Sequence, residues 1–268
     1  MNELVNVLRG NNSDNKIYLN PFVEFLCFGL KQIIGITFGL TLVLGFLLTT
    51  NASYRYDILF VYALIIQVIL FKVGFESKRD ILVVTIFHLI GLSMELIEVS
   101  VNHSWSYTSS GLFYIASVPI FTGFMYASVG SYMAKEFKLL KLKVTGMPNT
   151  KLLIGYSIAI YANFILNNHI YDFRYLLIIA MVILYWKVDL RFKPANKSYR
   201  FNLPIVFVLI GFFIWIAENI STYLGIWVYP NQVPVWHMVH ISKISSWMLL
   251  SIISFNLVYL LLYKVKKK

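Results

Sequence analysis

Leu203-Pro204-Ile205-Val206-Phe207-Val208-Leu209-Ile210-Gly211-Phe212-Phe213-Ile214-Trp215-Ile216-Ala217-Glu218-Asn219-Ile220-Ser221 is the stretch on which the fold turns. No charge interrupts the chain between Arg200 and Glu218. A helix needs roughly 20 mostly apolar residues to cross a bilayer core. Inside that core only a helix or a closed barrel satisfies its own backbone. The run therefore predicts a transmembrane helix, and it ends on a carboxylate.

The rest of the chain repeats the theme. Of 268 residues, 59% are hydrophobic and 17% aromatic, against 13% charged. A soluble core of this length does not hide so much apolar surface. Seven more runs join Leu203–Ser221: Glu24–Thr50, Asp57–Lys72, Ile81–Ser100, Tyr114–Ala134, Lys151–Asn168, Asp172–Leu190 and Ile241–Tyr263. The expected fold is all-α: a polytopic membrane bundle of eight transmembrane helices, forming one integral membrane domain over residues 1–268. The polar segment 1–20 has no signal-peptide core, so the first span is expected to act as its own insertion signal and the mature chain is expected to begin at or near Met1. The single cysteine, Cys27, rules out an internal disulfide framework.

The net charge of +11 is distributed by topology. Nineteen of the 23 basic residues fall before the first span, after the last, or between alternate spans. They include Lys72, Lys78 and Arg79, the series Lys135–Lys151, and the series Lys187–Arg200. The intervening loops hold only Arg55 and Arg174, while Lys31 and Lys243 lie at or within spans. This is the positive-inside pattern. It predicts cytoplasmic termini, an even number of spans, and a multi-pass protein of the cell membrane. It also assigns the charge to topology and anionic lipid rather than nucleic acid.

Two halves, 24–145 and 150–263, read alike. Lys72 and Lys187, Pro119 and Pro234, and Tyr132 and Trp247 are each 115 positions apart. Four spans per half is even, so the repeat is expected to be parallel. Within it, Glu95, Trp105-Ser106-Tyr107 and Val118-Pro119 are echoed by Glu218, Trp227-Val228-Tyr229 and Val233-Pro234. The prolines are expected to start or kink helices, and the Trp and Tyr residues also read as interfacial anchors.

Carboxylates within spans are costly unless paired or used. Glu95 shares one helix face with His88, Gly91 and Leu92. Glu218 lies in the outer part of its own span. The candidate catalytic residues are Glu95, Glu218, His88, Tyr107 and Tyr229. The candidate substrate contacts are Trp105, Trp227, Asn219, Asn163, Tyr126 and Lys243. Lys243 is also a possible ion-pair partner for Glu218, and it lies too near the outer end for a buried Schiff-base chromophore. His237 and His240 are three apart, unlike a zinc helix with His at i and i+4, so no metal site is assigned. No nucleotide-cofactor fingerprint appears, and no cofactor is expected.

The run Thr85–Tyr107, the run Ser117–Ala134, Ile214–Ile220 and Trp227–Gln232 resemble the YoaT-like bacterial membrane proteins, a family of unknown function (domain of unknown function 817). That resemblance implies multi-pass membrane location and no particular activity. The order of a helical glutamate, aromatic-x-Tyr and Val-Pro also resembles carotenoid-biosynthesis membrane enzymes of the lycopene-cyclase and bacterioruberin-hydratase types. This second resemblance implies that Glu95 is an acid, Glu218 its counterpart, and Tyr107 and Tyr229 stabilisers of a cation. The chain departs from some cyclases in lacking their Pro-Glu-Glu.

Two functions stay open from sequence. One is a cofactor-independent acid/base enzyme acting on an isoprenoid or other membrane lipid in the outer half of the bilayer. The other is a proton-coupled transporter of a small solute. No long Gly/Pro-broken helix reads from the sequence, which counts against transport.

Overall fold

The computed structural model describes residues 20–264. Arg9, Lys16 and most of the polar N-terminal segment, and Lys266, Lys267 and Lys268, lie outside the described residues. The described chain is mostly helical, and a helix occupies every one of the eight apolar runs. In order these are α1 (Pro21–Gly35), α2 (Thr37–Leu48), α3 (Arg55–Lys72), α4 (Lys78–Ser100), α5 (Thr122–Leu139), α6 (Thr150–Leu166), α7 (Arg174–Tyr185), α8 (Leu203–Tyr223) and α9 (Lys243–Val258), the last continuing as a π-helical turn through Lys264. Three are long and apolar enough to cross a membrane: α4, α8 and α9 with its extension. The bent pair α1–α2 makes a fourth if it is one span.

Local chemistry sets the helix starts. Asn20 accepts from the Phe22 amide ahead of Pro21. Ser77 and Asp80 close a reciprocal capping box on α4, and Asn149 caps α6 through the Leu152 amide. Such caps satisfy N–H groups that have no partner within the helix.

The tightest packing is α4 against α5 and α8 against α9. Gly91 of α4 receives the ring of Tyr126, and a Cβ there would run into it. Gly211 of α8 lies against the α9 backbone, where a Cβ would come 2.7 Å from the Met248 nitrogen. Small residues permit this approach, and lipid offers no hydrophobic push between helices.

Four features depart from the sequence reading. First, the expected span within Glu24–Thr50 is broken: α1 and α2 meet at Ile36 with a bend of 60°. The Thr37 hydroxyl donates to the Ile33 and Ile34 carbonyls at the break. Second, the run from Tyr114 does not open as a helix. β1 (Tyr114–Ile115) and β2 (Val118–Pro119) pair antiparallel, so Pro119 sits in a strand and α5 begins at Thr122. Third, Pro234 lies in the loop between α8 and α9, well before α9, and neither starts nor kinks a helix. Fourth, the expected all-α fold also carries a small sheet in two of its basic loops. β3 (Lys143–Thr145), β4 (Asp189–Phe192) and β5 (Tyr199–Asn202) form an antiparallel sheet joining the loops after α5 and α7. Its apolar face buries Leu190 and Phe192, with the Phe28 ring of α1 tilted against Phe192 at 5.7 Å between centroids. Glu24 of α1 accepts the Ala195, Asn196 and Lys197 amides, which fastens α1 to the β4–β5 turn.

A buried arginine ties the end of α2 to the loop after α8. Arg55 donates to the Leu224 and Gly225 carbonyls past α8, at 2.9 and 3.1 Å, and to Phe46 at the end of α2. Tyr56 beside it donates to the Ile226 carbonyl at 2.8 Å.

Candidate functional site: two carboxylates under a shared aromatic clasp

Trp105-Ser106-Tyr107 follows α4 and Trp227-Val228-Tyr229 follows α8. The two motifs meet at their middle residues. Ser106 and Val228 form an antiparallel bridge, each amide donating to the other's carbonyl at 3.0 Å. Side chains alternate along an extended segment, so the Trp and Tyr of each motif leave the bridge on one side.

In the first copy the Glu95 carboxylate accepts three hydrogen bonds. They come from Trp105 Nε1 at 3.0 Å, the Tyr107 hydroxyl at 2.5 Å and the Tyr126 hydroxyl of α5 at 2.8 Å. In the second, Glu218 accepts from the Tyr229 hydroxyl at 2.6 Å and from Trp247 Nε1 of α9 at 2.7 Å. Both carboxylates are buried. Burial and the adjacent Glu95 carboxylate push the Tyr107 phenol well above its ordinary range, and burial and Glu218 do the same to Tyr229. Both phenols therefore stay protonated and remain donors.

The copies touch through their rings. Trp105 and Tyr229 pack edge to face at 5.9 Å between centroids. The Lys243 ammonium lies 4.7 Å from the Tyr229 ring centre and 5.9 Å from that of Trp105. It forms no salt bridge with Glu218, since the ion pairs among the described residues are Lys138–Asp80, Arg174–Asp172 and Arg200–Asp189. Lys243 is a cation held against aromatic faces, a contact that strengthens on desolvation.

Eight of the eleven candidate residues thus lie in or beside one cluster: Glu95, Glu218, Tyr107, Tyr229, Trp105, Trp227, Tyr126 and Lys243. Trp227 is buried in the clasp loop. His88 stands apart, its ring 4.4 Å from Phe124 and its Nδ1 buried without a partner. Asn219 accepts from the Val239 amide and donates to the Trp215 carbonyl, pinning the α8–α9 loop. Asn163 donates to Asp172 and accepts from the Phe173 amide, capping the α6–α7 turn. Three other histidines take separate partners: His169 bonds Asn102, His240 bonds Ser242, and His103 bonds the Val99 carbonyl.

Sequence reasoning missed Trp247 as a carboxylate partner. The 115-residue offset pairs it with Tyr132, yet Tyr132 donates to Gln32 of α1. The informative spacing is from each glutamate to its donor on the following helix, 31 residues to Tyr126 and 29 to Trp247.

The family described as "Protein of unknown function (DUF817)" matches residues 24–255. The chain is 41% identical over 204 residues to the "Uncharacterized protein YoaT" of Bacillus subtilis (strain 168), covering 76% of this chain and 77% of that one. No solved structure matches.

Proposed function

The chain belongs to the DUF817 family, and from that premise we propose a multi-pass protein of the cell membrane that works as a cofactor-independent acid/base enzyme on an isoprenoid or similar unsaturated lipid. The proposed topology has eight spans in a parallel four-plus-four arrangement with cytoplasmic termini. It rests on a helix in each apolar run and on the charge asymmetry between loops. The proposed site is the outer clasp around Glu95 and Glu218.

The observation that carries this reading is the aromatic surface between two buried carboxylates, against which Lys243 already rests. In the proposed reaction, the acid form of one glutamate gives its proton to an alkene carbon. The π pair becomes the new C–H bond, and the adjacent carbon becomes cationic. Trp105, Tyr107 and Tyr229 face that charge, and ring quadrupoles attract a cation. The second carboxylate then takes a neighbouring C–H proton, re-forming a double bond without any net redox change.

The test compares membrane lipids from cells with and without the protein, and from cells carrying Glu95→Gln or Glu218→Gln. The expected result is one unsaturated lipid class altered in the null strain and in both variants. Unchanged lipids together with altered uptake of a solute would overturn the enzyme reading.

That second outcome belongs to the alternative, proton-coupled transport of a small solute, which one observation favours. At the α1–α2 break the buried Glu136 carboxylate accepts from Gln32 at 2.6 Å and leaves Oε1 unpartnered against Gly35. A carboxylate at a discontinuous helix is a familiar arrangement for a coupling ion.

A further inference from the structure

The inner sheet carries a second set of chemistry that the outer clasp does not use. Its register places Lys143, Arg191 and Arg200 directly opposite one another across three strands, all three exposed. The next row on the same face is Thr145, Asp189 and Asn202. Like charges placed opposite on a sheet repel. Asp189 answers only Arg200, at 2.6 Å, and among the described residues no carboxylate pairs with Lys143 or Arg191.

Beside these rows is a concavity of about 630 Å³ lined by Trp186, Lys187, Asp189, Arg200 and Asn202. Asn202 Nδ2 donates to the Trp186 carbonyl at 2.6 Å, which orients the amide. Its Oδ1 is buried without a partner and calls for a hydroxyl or N–H donor. Trp186, at the end of the apolar helix α7, is 64% exposed, as is usual for an aromatic residue at a membrane interface.

We propose that this face binds the headgroup of an anionic phospholipid with a polyol, such as phosphatidylglycerol. Arg200, Arg191 and Lys143 take the phosphate. Guanidinium forks suit its oxygens, and each basic residue near the surface adds to the attraction. A headgroup hydroxyl donates to Asn202 Oδ1, and Trp186 lies along the start of the acyl chains. The site is independent of the outer carboxylates.

The experiment uses the full chain in detergent, with lipid binding followed by native mass spectrometry and by thermal shift. Phosphatidylglycerol is expected to bind more tightly than phosphatidylcholine, which has neither net charge nor a headgroup hydroxyl. Lys143→Ala with Arg191→Ala should weaken phosphatidylglycerol binding roughly twentyfold. The control pair Lys78→Ala with Arg79→Ala removes the same charge from another exposed inner position and should change it less than about threefold. If the alanine pair unfolds, Lys143→Gln with Arg191→Gln serves instead. Equal losses in both pairs, or no preference over phosphatidylcholine, overturn the proposal. Protection by soluble glycerol 1-phosphate as strong as by the lipid overturns the lipid assignment and leaves a site for a soluble phosphate ester.

Discussion

Glu95 and Glu218 occupy near-copies of one setting, and the copies are unequal. Glu95 accepts from two clasp residues and from Tyr126 of the next helix. Glu218 accepts from one clasp residue and from Trp247. Lys243 rests over Tyr229, the clasp residue that serves Glu218. A carboxylate has about four acceptor positions, so Glu95 is closer to saturation and Glu218 keeps more capacity for a visiting proton or ligand. In the enzyme reading, Glu95 is the more firmly held of the two and Glu218 the more adaptable.

Truncation probes that inequality most strongly. Glu95→Ala strands three donors and should cost about 3 kcal/mol, whereas Glu218→Ala strands two and should cost about 2 kcal/mol. Unfolding in mixed micelles, titrated with denaturing detergent, reads both. Equal or reversed losses would break the ranking.

Lys243→Met comes next. Loss of a cation–π contact should cost about 1 kcal/mol in the same assay. A loss of about 3 kcal/mol or more would instead identify a buried ion pair with Glu218.

The smallest effect lies at Glu76, which gives a contrast to both clasp acids. It precedes α4, accepts from Ser131 at 2.9 Å, and leaves Oε2 unpartnered. Burial raises its pKa above the ordinary glutamate value. The folded state then holds a proton that the unfolded chain has released, so stability falls as pH rises from the unfolded value through the folded one. Melting temperatures measured across that window should slope downward in the native chain and flatten in Glu76→Gln. An unchanged slope would assign it to another group.

Much of the fold was legible from sequence because lipid makes the rules local. Leu203–Ser221 reads as a helix from its own letters, and α8 covers Leu203–Tyr223. The doubled Glu…Trp-x-Tyr pattern was legible too, and the bridge between Ser106 and Val228 brings its two copies into contact. Long-range pairing was not legible. Nothing within Lys143–Thr145 announces Asp189–Phe192 as its partner, and the aromatic residues around Phe192 read equally well as interfacial anchors. The break at Ile36 escaped because apolar residues continue through it. There Gly35 makes room for Glu136, and the Thr37 hydroxyl satisfies carbonyls at the bend. Trp247 escaped because residue likeness pairs it with Tyr132, whereas a glutamate's partners depend on helix depth and crossing.

The bridge between Ser106 and Val228 has a kinetic meaning as well. Each loop is the other's latch, so neither peels away without breaking both hydrogen bonds. In the enzyme reading the two acids therefore share a single opening event, and a molecule admitted by it meets both carboxylates during the same residence.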